Sequence, residues 1–242
     1  MTLTVALDTA TDLATVAVGD GRTLLAEVTL GPRRHASALL PAVEEALRLG
    51  GGAVRDVVRV LLADGPGSFT GLRIGVATVQ GLRRARPDIT VATAPSLLAA
   101  AWVGAQFAPG PVAALYDALR GEIYAAVYRF RDGTVEVLAP PALTTLDALV
   151  NACPVVPAVA VGDGAALDVE AIRAWTGRPP VLPPLGAPRA AALLMLDRDS
   201  SVLSPVDDPA TFEPEYGRPA EAQVRWERAH GRQLPDAPGQ TR

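Results

Sequence analysis

Three glycines and a proline lie between an apolar run, Val57–Ala63, and a helix-like stretch starting at Leu72, in the string Gly65-Pro66-Gly67-Ser68-Phe69-Thr70-Gly71. Such a string demands an unusual backbone path, which glycine allows because it has no Cβ. Its N–H groups, with the N-terminus of the helix that follows, could cradle an anion; alternatively, the string is a tight turn with Ser68 or Thr70 as N-cap. A Walker-type phosphate loop is excluded. That motif needs a lysine before Ser or Thr, and all 22 basic residues of this chain are arginine. A Ser-His-Asp or Cys-His site would have to use His35 or His230, and Cys153 sits beside Pro154 with no motif around it. These two histidines are too far apart in sequence to form an i, i+4 metal-ligand pair. His35 reads as a residue at the start of a helix, placed to give a capping or interface hydrogen bond. Tyr116, Asp117, Arg120, Glu122 and Tyr124 form a polar and aromatic group that reads as a hydrogen-bond network between two halves of the chain rather than an acid–base pair.

The elements that must position these residues follow from periodicity. Short β-rich runs at Leu3–Leu7 and Ala14–Val18 flank Asp8-Thr9-Ala10-Thr11-Asp12 and predict a hairpin, with a third strand at Leu24–Leu30. Ala36, Leu40, Val43 and Leu47 recur at helical spacing over Ala36–Leu49; because of Pro41, the regular helix is expected to start near Leu40. Strand Val57–Ala63, helix Leu72–Arg84, strand Thr90–Ala92 and helix Ser96–Val103 complete a β-β-β-α-β-α-β-α unit, a mixed sheet covered by helices. After the Gly/Pro-bearing junction Ala105–Pro111 the pattern restarts. Strands are expected at Val112–Tyr116, Ile123–Phe130, Val135–Leu138 and Val155–Val161, and helices at Leu146–Asn151 and Ala187–Asp197. The second half therefore reads as a reduced copy of the first. The resulting divisions are 1–105, 106–204 and a Pro-rich tail, 205–242, expected to be partly disordered.

Composition narrows the class. Hydrophobic residues make up 49% and charged residues 20% of the 242 positions, as in ordinary globular domains. No apolar run approaches the roughly 20 residues of a membrane span. The start, Met1-Thr2-Leu3-Thr4-Val5-Ala6-Leu7-Asp8, has no basic segment before its apolar run and reads as a strand, not a signal peptide. The single cysteine allows no internal disulfide and suits a reducing cytoplasm. A net charge of -4 argues against a broadly basic nucleic-acid-binding face.

Gly65 to Leu82, Gly-Pro-Gly-Ser-Phe-Thr-Gly-Leu-Arg-Ile-Gly-Val-Ala-Thr-Val-Gln-Gly-Leu, closely resembles the signature of the TsaB (YeaZ) family, paralogues of the threonylcarbamoyl transferase TsaD. Other pieces agree in order and spacing: Leu7-Asp8-Thr9-Ala10-Thr11, Pro32-Arg33-Arg34-His35, the string from Asp117 to Tyr124, and Glu213-Pro214-Glu215-Tyr216, although Gly217 stands where a leucine is usual. The resemblance covers about Leu3 to Tyr216. It implies an α/β actin-like ATPase fold (ASKHA, ribonuclease H-like), two-lobed with mixed sheets and a reduced second lobe. Asp8 and Thr9 would then be a relic of the first phosphate loop, where a carboxylate could organise a hydrated metal; the alternative is that Asp8 and Asp12 shape a turn. No adenosine-binding segment is found in the short second half, so no cofactor is expected beyond weak nucleotide binding. The paralogue's metal-binding His-x-x-x-His would fall at Thr93–Ala99, where no histidine stands.

The resemblance implies a non-catalytic subunit of the bacterial tRNA threonylcarbamoyladenosine-modifying complex. It would bind and activate TsaD for modification of the adenosine beside the anticodon, with TsaE joining the complex, tRNA contacted only indirectly, and self-pairing when TsaD is absent. The expected partner surface is Ala36, Leu39, Leu40, Val43 and Leu47 of the first helix with Gly71, Leu72, Gly75, Val76 and Val79 of the second. Gly71 and Gly75, four apart, leave a stripe open to a close-packed backbone. The Gly65–Gly71 loop with Arg73 is the structural motif. Two other readings compete: a kinase or ATPase of the same fold, and the metallopeptidase label attached to the superfamily, against which the missing histidine pair counts.

Overall fold

The computed structural model describes residues 2–21, 23–32, 35–131, 133–198 and 202–218. The first sheet is ordered β10-β5-β4-β1-β2-β3. Its antiparallel strands β1 (Leu3–Asp8), β2 (Ala14–Gly19) and β3 (Leu24–Leu30) lead to β4 (Val57–Ala63) and β5 (Thr90–Ala94), which run parallel to β1. The second sheet is ordered β8-β7-β6-β9. It repeats that plan in shorter form: β6 (Val112–Asp117), β7 (Ile123–Arg131) and β8 (Thr134–Thr144) are antiparallel, and β9 (Val159–Val161) is parallel to β6.

Alternation along the strands sorts the side chains into layers. Leu3, Val5 and Leu7 of β1 face α1 (His35–Leu49) and α2 (Phe69–Ala85), while Ala6 faces a layer shared by both sheets. That shared layer holds α3 (Ser96–Gly104) and α6 (Ala190–Leu196). Covered on both faces, β1 and β2 are buried along their whole length, which explains their nearly unbroken apolar runs. Beyond the second sheet, Leu149 of α4 (Leu146–Ala152) and Ile172 of α5 (Val169–Thr176) cover Ala113, Leu115 and Val127.

Several expected boundaries are corrected. The first helix starts at His35, with Pro41 inside it. Pro41 lies on the exposed side, where water can satisfy the Ser37 carbonyl that it leaves without an intrahelical donor. Strand β8 runs to Thr144 because it is an edge strand, where Pro140 and Pro141 are tolerated. Helix α5 lies outside the elements expected from periodicity, although Asp168 caps Ala171 N–H at 2.9 Å and Gly177 closes the helix at φ 76°.

The first lobe is built from both ends of the chain, in contrast to the divisions at 105 and 204. Helix α6 returns to the first sheet. There the Thr15 hydroxyl accepts Ala190 N–H at 2.9 Å, and Arg59 forms a two-pronged ion pair with Asp197. Strand β10 (Ser204–Pro205) then pairs with β5, and residues up to 218 continue over α2. The side chain of His35, together with Arg33, Arg34, His230 and residues 219–242, lies outside the described residues.

Candidate functional site at the junction of the lobes

Asp8 ends β1 and is fully buried. One carboxylate oxygen accepts Ala10 N–H at 3.0 Å and the other accepts the Ser96 hydroxyl at 2.7 Å. Ser96, the first residue of α3, lies 2.9 Å from the Tyr116 hydroxyl, which donates to the Ser96 carbonyl at 2.8 Å. A buried polar chain thus runs from the first sheet through α3 to the second. Burial pushes the Asp8 carboxyl up to about 6 against the lowering effect of these bonds, and holds the Tyr116 phenol well above its ordinary range. Asp64, at the end of β4, is also pushed up to about 6, mainly by burial.

The glycine loop wraps the Asp8 turn. Ser68 N–H donates to the Ala10 carbonyl at 2.7 Å, and the Ser68 hydroxyl accepts Gly71 N–H at 3.3 Å as the N-cap of α2. Of the readings left open by the sequence, the loop takes the capped turn, with Ser68 rather than Thr70 as the cap. Gly65, at φ +123°, passes so close to the Glu215 carbonyl that a Cβ there would overlap it. Phe69 stacks on Tyr216 at 4.5 Å, and the Arg73 guanidinium lies over Phe69 at 4.1 Å while donating to the Tyr216 hydroxyl at 3.1 Å. Tyr124 of the second lobe donates to the Tyr216 carbonyl at 3.1 Å. The segment 213–218 therefore straps the two lobes together, a role that periodicity could not reveal.

Between the lobes lies a cavity of about 600 Å³. Aromatic rings of Phe69, Tyr116, Tyr124 and Tyr216 line it, with the carboxylates of Asp12, Asp117 and Asp163. Asp163 accepts Asp117 N–H at 3.2 Å, and burial raises its pKa. A metal-bound triphosphate does not fit at Asp8 and Thr9. The Asp8 oxygens are turned inward and engaged, the Ala10 N–H that could meet a phosphate is already bonded to Asp8, and the Thr9 carbonyl packs against Gly71.

The expected partner surface requires correction. Leu39, Val43 and Leu47 of α1 and Val76 and Val79 of α2 are buried against the chain's own first sheet, and Leu72 is buried in the layer shared by the two sheets. Gly71 and Gly75 face inward as well; a Cβ on Gly75 would stand 2.6 Å from the Thr9 hydroxyl oxygen. Gly71 and Gly75 on one side and Leu72, Val76 and Val79 on the other are adjacent flanks of a single face of α2, since neighbouring residues are only about 100° apart around a helix. Ala36 and Leu40 remain outward, with Leu40 51% exposed. Beside them α2 presents Ile74, Ala77, Thr78 and Gly81, and nothing lies within 4 Å of a Cβ built on Gly81.

Two mixed sheets sharing a helical layer, with a cleft between the lobes, define the two-lobed actin-like class. The ethanolamine utilization protein EutJ from Carboxydothermus hydrogenoformans shares this fold, with a TM-score of 0.50 over 81% of this chain and 90% of that one, at 14% identity. The family model described as TsaD, tRNA N6-adenosine threonylcarbamoyltransferase, matches residues 24–173. The chain belongs to this family, on its TsaB (YeaZ) branch. It is 37% identical over 126 residues to the tRNA threonylcarbamoyladenosine biosynthesis protein TsaB of Escherichia coli (strain K12), covering 51% of this chain and 54% of that protein. The Bacillus subtilis (strain 168) protein of the same name is 32% identical over 136 residues, 56% and 58% of the two chains. The chain thus spans little more than half the length of these curated relatives. The crystal structure of YeaZ from Pseudomonas aeruginosa aligns with a TM-score of 0.73 at 28% identity, over 89% of this chain and 100% of that one. An uncharacterized protein with similarity to peptidase YeaZ, from the same organism, aligns at 0.76 and 28%, over 90% and 100%.

Proposed function

We propose that this chain is a non-catalytic subunit of the bacterial tRNA threonylcarbamoyladenosine-modifying complex, which binds the transferase TsaD and activates it for modification of the adenosine beside the anticodon. The observation that carries this reading is the closed state of the ancestral catalytic position. The helix on which the paralogue's metal histidines would fall begins here with Ser96, whose hydroxyl is committed to Asp8 and Tyr116. Ser96 is fully buried, which also argues against its serving as a peptidase nucleophile. Membership of the TsaB branch supplies the pathway.

In this reading the outward face of α1 and α2 docks on TsaD, centred on Leu40 with Ala36, Ile74, Ala77 and Gly81. Small residues on one helix and an exposed leucine on the other suit close helix-to-helix packing. The same face self-pairs when TsaD is absent. TsaE joins through the assembled complex, and tRNA is contacted by TsaD rather than by this acidic chain, in the cytoplasm. Co-purification with TsaD from the same organism, followed by a transfer assay with and without this chain, tests the reading.

A further inference from the structure

We propose that the Tyr124 wall of the cleft between the lobes is a seat for a guanidinium, occupied in the free chain by its own Arg218 while the rest of the cleft stays open, and free to exchange for an arginine side chain presented by a protein partner. The strap delivers Arg218 into the cavity. There its guanidinium carbon lies 5.6 Å from the centre of the Tyr124 ring and its Nε donates to the Tyr124 hydroxyl at 2.9 Å. An aromatic face with a hydroxyl acceptor at its edge matches a planar cation bearing in-plane donors, as it does not match a compact ammonium.

The other walls have the same preference. Asp12, Asp117 and Asp163 line the cavity against one arginine, Arg218, and although Asp163 and Asp117 each accept a backbone N–H, from Asp117 and Leu119, the lining keeps an acidic excess that favours a cation over a phosphate. The volume, about 600 Å³, falls in the range that holds a small ligand or a few residues of a peptide rather than one side chain alone.

The rim favours a protein as the source of the arginine. Leu119 and Arg120 both adopt left-handed conformations, φ 65° and 59°, in the turn between β6 and β7, and the turn is closed by Ala118 N–H donating to the Glu122 carbonyl at 3.0 Å. Two non-glycine residues in that region cost energy and persist only where the surroundings enforce them. The result is Leu119 held 63% exposed at the mouth of the cleft, an apolar contact that a peptide backbone could use and a free cation could not. This surface is distinct from the outward face of α1 and α2, and the inference does not depend on that docking.

Titration of the full-length ¹⁵N-labelled chain with acetyl-glycyl-arginyl-glycine amide tests the proposal, with the lysyl peptide, agmatine and magnesium ADP as parallel probes. The arginyl peptide should shift the amide signals of Leu119, Tyr124 and Arg218. Arg218→Ala should tighten its binding about tenfold by vacating the seat, and Asp117→Asn with Asp163→Asn should weaken it by a similar factor. Both asparagines retain an oxygen for the backbone bonds of the parent residues, and a thermal melt checks that the variants are folded. Failure of Arg218→Ala to tighten binding would overturn the proposal, as would ADP binding in this cleft that strengthens when the carboxylates are removed. Agmatine binding as tightly as the peptide would overturn the assignment to a protein partner.

Discussion

Ser96 donates its hydroxyl proton to the Asp8 carboxylate across 2.7 Å, tying the end of the first strand to the helix between the lobes. The bond stabilises the charged form of Asp8, yet burial dominates, and the carboxyl is pushed up to about 6, well above the ordinary aspartate range.

The sign of this shift gives the first prediction. A carboxyl whose pKa is higher folded than unfolded binds protons more tightly in the native state, so its contribution is fully present below the unfolded value and is lost as pH rises through about 6. Asp64 acts in the same direction. Thermal stability should therefore fall between pH 4 and pH 7, by an amount on the order of 2 to 3 kcal/mol for Asp8 alone. Asp8→Asn stays neutral and should make that part of the profile shallower, leaving the fall contributed by Asp64. Melting curves across this range in both proteins check it, and an equally steep fall in the variant would place the titration elsewhere.

Gly75 supplies a second prediction. Its Cα faces the Thr9 hydroxyl and Leu62, so Gly75→Leu should overpack the first lobe and cost ~1 to 3 kcal/mol in a chemical denaturation experiment. Gly81→Leu, with open space above it, should leave stability unchanged but weaken co-purification with TsaD.

On α1 the contrast lies between neighbouring turns. Val43 is fully buried against the sheet, so Val43→Asp should lower stability by several kcal/mol and yield little folded protein. Leu40→Asp should keep stability within about 0.5 kcal/mol, as surface substitutions do, while abolishing the complex. Circular dichroism and size-exclusion chromatography with TsaD separate the two outcomes.

Much of this architecture was legible in the sequence because local patterns carry it. The runs around Val5, Val16 and Leu61 are nearly unbroken because both faces of their strands are covered, and Ser68 announces its helix through the glycine loop before it. What stayed hidden depended on contacts far apart in sequence. Residues 88 positions apart form the Asp8–Ser96 bond, and 143 separate Arg73 from Tyr216, so no window of local periodicity contains either pair. The outward face of α1 and α2 was misread for a related reason. An apolar stripe shows that a helix packs against something, but not whether its own sheet or another protein covers it.

The strap provides a further prediction. Tyr216→Ala removes the stack on Phe69 and the hydroxyl that accepts from Arg73, and it should lower stability by about 1 to 3 kcal/mol. It should also increase the exchange rate of amide protons in the loop at 65–71, which hydrogen-exchange mass spectrometry reads directly. Unchanged protection in that loop would show that the strap does not hold the lobes.

Activation of the transferase is the most direct test of a non-catalytic role. Threonylcarbamoyl transfer to tRNA would be measured with TsaD and TsaE in the absence and presence of this chain, in wild-type form and as Asp8→Ala and Leu40→Asp. The expected result is transfer only when the chain is present, activity lost in Leu40→Asp, and no turnover of ATP or transfer by the chain alone. Transfer or ATP hydrolysis by the isolated chain at an ordinary enzymatic rate, on the order of 1 per second, and abolished by Asp8→Ala, would contradict the proposed role and make the closed position at Asp8 a working active site.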